Sequence, residues 1–155
     1  DGGRGLVREV STMRPVPMEV REEWLVRQVF NACHPDWPMR GSGWYTVYPT
    51  LVIRFDERVV GFTSFSVSPS PTGPTTLYGN DLCVLPMYRK RGGGWRLAEA
   101  RLALGRAVGA KTFIGITEAS NAAMIRIFER QGLHACQRLP GYFGTEAGLV
   151  WAGSL

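Results

Sequence analysis

Between Arg89 and Arg96 the chain reads R-K-R-G-G-G-W-R, so that Arg89, Lys90, Arg91 and Arg96 surround the consecutive glycines Gly92, Gly93 and Gly94. Glycine lacks a Cβ, and the backbone there can turn tightly enough to bring several N–H groups to bear on one point. A helix-forming segment begins at Trp95, and the unpaired N–H groups and positive dipole end of its first turn add to the same focus. Such a place suits an anion, most simply a phosphate or pyrophosphate. The spacing narrows the compound, because neither G-x-G-x-x-G nor G-x-x-x-x-G-K-[ST] can be laid over these residues. The NAD and nucleoside triphosphate loops are thereby set aside.

A turn of this kind needs a strand before it and a helix after it. Leu82 to Leu85 is a short apolar run stopped by Pro86, and it ends a strand predicted over 76–85. The helix is predicted over 95–109, with Leu97, Ala100, Leu102, Leu104 and Val108 as its core face and Gly109 as its C-cap. Within this frame Val84, Pro86, Tyr88, Arg89, Gly92 and Gly94 spell V-x-P-x-Y-R-x-x-G-x-G, preceded by Asp81-Leu82. The stretch resembles the central motif of the GNAT superfamily of acetyl-CoA-dependent N-acetyltransferases. A second block, with Asn121, Phe128, Gly132 and Leu133 at their spacing, is similar to that family's N-x-x-A-x-x-x-Y-x-x-x-G-F.

The resemblance implies acetyl-CoA as co-substrate, no metal, and direct transfer of the acetyl group to a primary amine through a tetrahedral intermediate. It implies that the strands over 76–85 and 111–117 run parallel and splay apart, with the pantetheine arm paired to backbone near Val84. The acetyl carbonyl would take an N–H near Leu82 or Cys83, an oxyanion-hole arrangement. The pyrophosphate would sit on the N–H groups from Arg91 through Gly92, Gly93, Gly94 and Trp95 to Arg96, with Arg89 beside it and Asn121 and Phe128 bordering the cofactor.

Amine attack on a thioester needs a base for the incoming ammonium and an acid for the departing thiolate. Asn80 stands where many members of the family carry Glu, which leaves Asp81 as the first choice of base and Glu118 as the second. Asp81 has a structural alternative, as a carboxylate accepting from backbone N–H groups. Phe128 stands where the family's general acid is Tyr, and Phe has no proton to give. Tyr142, in the glycine-flanked loop G-Y-F-G, is the first candidate substitute and Tyr88 a lesser one, although Tyr142 reads more simply as a surface aromatic in a turn. Asn121 can equally be the cap of its helix.

The remainder of the chain supplies the supporting elements. A strand is expected over 6–10. After Pro15 and Pro17 a helix is predicted over 18–31, with Val20, Trp24, Leu25 and Phe30 inward and Arg21, Glu22, Glu23 and Arg27 in water. Residues 31–43 are dense in Pro and Gly and read as a loop. The resemblance implies that this loop helps shape the acceptor pocket, which makes its Asp36 and Trp37 candidates for contacting the amine substrate; equally, Trp37 can cover the core with His34 exposed. Two β-rich runs, 44–54 and 58–68, flank a hairpin turn at Phe55-Asp56-Glu57. Later come a strand over 111–117, a helix over 120–131, a strand over 133–139, a Pro140-Gly141 turn and a last strand over 148–152. That last strand, if exposed, offers an edge for homodimer pairing.

These elements give an α/β domain spanning 1–155: one mixed, mostly antiparallel sheet with a central parallel, splayed strand pair, flanked by helices, as in the GNAT-like acyl-CoA N-acyltransferase fold. Hydrophobic residues at 45% against 20% charged suit a globular chain rather than a disordered one. The net charge of +5 favours an anionic partner, and clustering of the arginines near the glycines favours a polyphosphate cofactor over nucleic acid. The arginines come with no helix-turn-helix, zinc-finger or RNP signature. Cys33, Cys83 and Cys136 have no regular spacing, which fits a reducing, cytoplasmic setting. Neither Cys33-His34 nor His134 with Cys136 has a zinc spacing. The opening Asp1-Gly2-Gly3-Arg4, without initiator Met, fits a processed amino terminus. No secretory pattern and no membrane-spanning apolar run is seen. A different class, a non-catalytic acyl-CoA-binding or regulatory module of the same shape, is favoured by Asn80 and Phe128. Turnover of acetyl-CoA separates the two.

Overall fold

The computed structural model describes residues 13–69, 73 and 75–155; the strand expected over 6–10 lies outside them. The strands are β1 (Val16–Pro17), β2 (Thr50–Phe55), β3 (Arg58–Ser68), β4 (Thr76–Val84), β5 (Thr112–Glu118), β6 (His134–Phe143) and β7 (Glu146–Ser154). The helices are α1 (Glu23–Cys33), the single turn α2 (Trp44–Val47), α3 (Gly93–Ala107) and α4 (Ala122–Arg130). Hydrogen bonds order the strands β1-β2-β3-β4-β5-β7-β6 in one sheet. It is mixed: β4 and β5 are parallel, and the pairs β1–β2, β2–β3, β5–β7 and β6–β7 are antiparallel. The parallel ladder starts at Thr76↔Thr112 and stops at Gly79↔Gly115, as the splayed pair requires. The chain forms two compact units, residues 1–65 with 81–101, and residues 66–80 with 102–155.

In the first unit, Asp56 and Glu57 both take positive φ, 49° and 63°, the two-residue geometry whose twist matches antiparallel strands and joins β2 to β3. Helix α1 buries Val26, Val29 and Phe30, one stripe at i, i+3 and i+4, against Tyr45, Val52, Val59 and Phe62. Phe30 is buried and Arg21 exposed as predicted, but the start of the segment is turned the other way, for Val20 and Trp24 are 77% and 55% exposed while Glu22 and Glu23 are buried. The carboxylates go inside because each finds partners there. Glu22 takes both Arg54 Nε, at 2.8 Å, and Arg54 Nη2. Glu23 accepts from Arg27 Nε and from the Gly43 N–H, each at 3.0 Å. A buried charge is tolerated when it is paired and hydrogen-bonded, and ion pairing therefore set the phase of this helix.

The segment Trp44–Val47, expected as strand, is helical. Gly43 enters it in the left-handed region at φ 81°, Thr46 Oγ1 donates to the Gly43 carbonyl at 2.6 Å, and Thr50 Oγ1 donates to the Tyr45 carbonyl at 3.1 Å. The aromatic residues that suggested a strand face here onto a buried carboxylate and a pocket, described below. Tertiary packing overrides β-propensity at this point.

In the second unit, Phe113, Phe128 and Trp151 form an aromatic core, with the Phe128 ring centroid 5.7 Å from Phe113 and 5.5 Å from Trp151. Asn121 caps α4, its Oδ1 accepting the Met124 N–H at 3.1 Å. Where α3 passes β4, a Cβ on Gly105 would stand 2.6 Å from Leu77 Cδ2, so glycine sets that close approach. Leu104 and Val108, expected in the core face of α3, are exposed, whereas Ala98 and Arg101 are buried with Leu97 and Leu102.

The last hairpin corrects two further expectations. Strand β6 continues through Pro140-Gly141, where the register shifts between Leu139 and Phe143, and the turn falls at Gly144-Thr145. Proline is tolerated at a bulge of an edge strand because it removes a ladder donor only where one is dispensable. The last strand is longer than expected and lies between β5 and β6. Its edges are both used, so β6 is the sheet edge and β7 offers none for a second copy.

Candidate functional site

The glycine turn is built by glycines doing different work. Gly92 sits at φ 84° with open space where a Cβ would be, while a Cβ on Gly93 would lie 2.7 Å from Ile53 Cδ1. Gly92 therefore supplies backbone sign, and Gly93 lets the start of α3 pack closely on β2. Helix α3 takes its first bond from the Arg96 N–H to the Gly92 carbonyl at 3.0 Å. The N–H groups before it belong to the first turn, where they and the dipole attract an anion. Arg91 lies over the Tyr88 ring at 5.7 Å. Arg89 Nε donates to the Val84 carbonyl at 2.8 Å, which anchors this side chain to the end of β4. The stretch from Leu82 to Arg96 thus lies in one unit, as a strand, a short 3-10 turn over Pro86–Tyr88, and a helix start.

Asp81, on β4, is held firmly. Its Oδ2 accepts from Tyr45 Oη at 2.9 Å and its Oδ1 from Arg40 Nη2 at 3.2 Å. Its backbone carbonyl accepts from Thr63 Oγ1 at 2.8 Å, and that hydroxyl in turn accepts from Arg101 Nη1 at 3.1 Å. Burial pushes the Arg101 guanidinium down to about 10, and the charge of Asp81 opposes that fall. Burial, followed by the charge of Asp81 and the bond to it, raises Tyr45 well above the usual phenol range, so this hydroxyl keeps its proton. Asp81 is thus a carboxylate serving two arginines and a tyrosine, closer to its structural alternative, with side-chain donors in place of backbone N–H groups.

Beside it Arg40 is clasped between aromatic rings, its guanidinium carbon 4.7 Å from the Phe30 centroid and 4.9 Å from that of Trp44. Phe30, Trp37, Met39, Arg40 and Trp44 line a cavity of about 200 Å³. Trp37 stacks on His34 with centroids 3.9 Å apart and planes at 7°. Burial lowers the His34 pKa, with Arg40 and Arg89 adding and Asp81 opposing, so this imidazole is neutral near pH 7. Of the two acceptor candidates, Trp37 lines the cavity, and Asp36 is exposed on the same loop.

The second unit holds the other acid–base candidates. Burial raises the Glu118 pKa, and the charge of Glu146 and a hydrogen bond to it raise it further. Glu146 is lowered, first by the Ser120 hydroxyl and then by the Ser120 N–H, which reaches its Oε1 at 2.7 Å. Two neighbouring carboxyls pushed in opposite directions are a recurring acid–base arrangement. Tyr142, expected in a loop, is on β6, 54% exposed, with its ring 4.9 Å from Phe143. Phe128 is a core residue, and the Asn121 side-chain oxygen is taken by its cap. Among the described residues no group of three or more His, Cys, Asp or Glu is placed to hold a metal ion, and no helix is long and apolar enough to cross a membrane.

Sequence reasoning missed Tyr45, Arg40, Thr63 and Arg101. Tyr45 was hidden by a strand-like composition. Arg101 had a visible signal, since it interrupts the apolar face of α3 beside Leu97 and Leu102.

The chain belongs to the acetyltransferase (GNAT) family, whose pattern it matches over residues 19–133. Among solved structures it is similar to yncA, a putative acetyltransferase from Salmonella typhimurium with its cofactor acetyl-CoA (TM-score 0.78, 21% identity, covering 93% of this chain and 94% of that one). It is similar also to Arabidopsis thaliana Naa50 in complex with the bisubstrate analogue CoA-Ac-MVNAL (TM-score 0.80, 14% identity, 93% and 99%). A third is the ribosomal-protein-S18-alanine N-acetyltransferase from Escherichia coli (TM-score 0.78, 18% identity, 90% and 92%). At these identities the likeness is one of fold. No curated protein sequence matches the chain.

Proposed function

We propose that this chain is an N-acetyltransferase that moves the acetyl group of acetyl-CoA to a primary amine by direct attack. The observation that carries the reading is the turn from Arg89 to Arg96, with Gly92 in the left-handed region and α3 opening immediately after it. There the pyrophosphate takes N–H groups from Arg91 to Arg96, with Arg89 nearby. The acetyl carbonyl takes a backbone N–H near Leu82 or Cys83. The Val84 carbonyl already accepts from Arg89, so pairing of the pantetheine arm falls to the other backbone groups of this strand end. The acceptor enters by the aromatic cavity at Trp37, with Asp36 near its mouth, and is a small molecule or a protein amine in a cytoplasmic setting. Solved relatives in fold include one bound to a peptide-bearing bisubstrate analogue, which supports the protein amine.

Glu118 is the base in this reading, ahead of Asp81, because a raised carboxyl pKa suits removal of a proton from an ammonium near neutral pH. Tyr142 supplies the acid, while Asn121 caps α4 and Phe128 lies in the aromatic core of the second unit. A second reading, a non-catalytic acyl-CoA-binding module, is favoured by the full engagement of Asp81 and by Phe128 in the core. Titrating acetyl-CoA into the purified protein, then measuring free thiol with pooled amines, tests both. Binding with thiol release is expected; binding without release for any amine supports the module; no binding overturns the reading. Gly92→Val is expected to abolish acetyl-CoA binding while the fold survives.

A further inference from the structure

The first unit also brings together two thiols that the acyl-transfer reading does not use. Cys33 ends α1, and Cys83 stands one residue before the end of β4. Both are free cysteines, and Cys33 packs against the buried core cluster that contains Cys83. Cys33 Sγ is also 3.5 Å from the Val84 carbonyl oxygen and 3.6 Å from Arg89 Nη2. Cys83 is 4% exposed, whereas Cys33 is half-buried. One thiol belongs to a half-buried residue and lies beside a guanidinium, and the other is in the core cluster on which that residue packs.

We propose that Cys33 and Cys83 are a peroxide-reactive pair, in which Cys33 is oxidised first and Cys83 closes a disulfide with it. The Cys33 thiolate attacks one oxygen of hydrogen peroxide, forming Cys33–SOH and releasing hydroxide. The Cys83 sulfur then attacks the sulfenic sulfur, the S–S bond forms, and hydroxide leaves with the Cys83 proton as water. Both electrons come from the thiols and reduce the peroxide to water.

The local charges favour this order of events. The groups facing Cys33 are Cys83 on β4 and Arg89 just beyond that strand. The interaction with Cys83, and after it Arg89, together bring the Cys33 pKa down to about 7 against the effect of burial, while Cys83 is raised. A partly exposed thiolate beside a cation is the reactive kind, and a buried, protonated thiol is suited to resolving it. The bond ties the last residue of α1, and with it the start of the loop carrying Trp37 and Arg40, to β4.

The test uses the folded protein carrying Cys136→Ser, which removes the exposed third thiol, treated with a small excess of hydrogen peroxide. Loss of both thiols and a peptide pair linked through Cys33 and Cys83, found by mass spectrometry without reductant, is expected. With Cys83→Ser added, dimedone is expected to trap sulfenic acid at Cys33. The rate of oxidation is expected to rise through a midpoint of about 7, moving to higher pH in Arg89→Met. Both cysteines remaining alkylatable, or linkage only between separate molecules, overturns the proposal. None of these readouts involves acetyl-CoA, so the result stands apart from the acyl-transfer reading.

Discussion

Asp81 and Glu118 were both candidate bases, and their surroundings have made them different kinds of carboxylate. Asp81 lies among donors, with Tyr45 and Arg40 on its two oxygens and the buried Arg101 close by. Glu118 faces another acid, Glu146, and is raised by burial and by that neighbour. A carboxylate whose acceptors are filled by side-chain donors organises its neighbours. One beside a like charge has its pKa raised, because the neighbour disfavours its charged form. The residue type thus matters less to the role than what the fold places against it.

The contrast can be broken most forcefully at Asp81. Asp81→Ala leaves Arg40 and Tyr45 without the acceptor they share, and breaking a buried pair costs about 3–5 kcal/mol. Urea denaturation is expected to show it, and an unchanged midpoint would make Asp81 an ordinary, dispensable carboxylate. Glu118→Gln is expected to do the opposite, leaving the denaturation midpoint nearly unchanged while the rate of thiol release falls about 10²- to 10⁴-fold, the usual contribution of a positioned proton carrier. If the two variants exchange phenotypes, so do the roles assigned to the two carboxylates.

Smaller substitutions sharpen the same difference. Tyr45→Phe removes one hydrogen bond to a charged acceptor, worth about 1.5–3 kcal/mol, and the loss is expected in stability with the pH profile of turnover in place. Glu146→Gln acts on pH alone. In the proposed reading Glu118 acts as the base when deprotonated, so the rate is expected to rise with pH through its pKa. Glu146 holds that pKa up by its charge and its hydrogen bond, so the variant is expected to shift the ascending limb to lower pH. An upward shift would show that Glu146 does not act on Glu118 as a negative charge.

The amphipathic helix over 18–31 shows the limits of periodicity. Its existence and the inward Phe30 were legible, yet Val20 and Trp24 were placed on the same face, because Glu22 and Glu23 read as a wet side. Their partners, Arg54 and the Gly43 N–H, come from elements that follow much later in the chain. No local pattern announces such a pairing. The same holds for Tyr45, whose hydroxyl acquires its meaning from Asp81 on another strand, and for Cys33, whose sulfur meets Cys83 and Arg89 only after α1 packs on β4.

What the amino-acid order determined by itself was local and backbone-driven. Gly92 marks a left-handed residue, Asn121 a helix cap, Gly109 a helix end at φ 89°, and Val84 to Gly94 the strand end, turn and helix start on which the proposed anion site rests. These depend on φ, on capping chemistry and on hydrogen bonds between near neighbours, which short motifs encode. The tertiary structure alone decided which charged groups are buried, which carboxylate is satisfied and which is raised, and which thiols touch. Those are properties of desolvation and of charges brought together from distant parts of the chain. They depend on distances in space, and spacing in sequence carries little of that information.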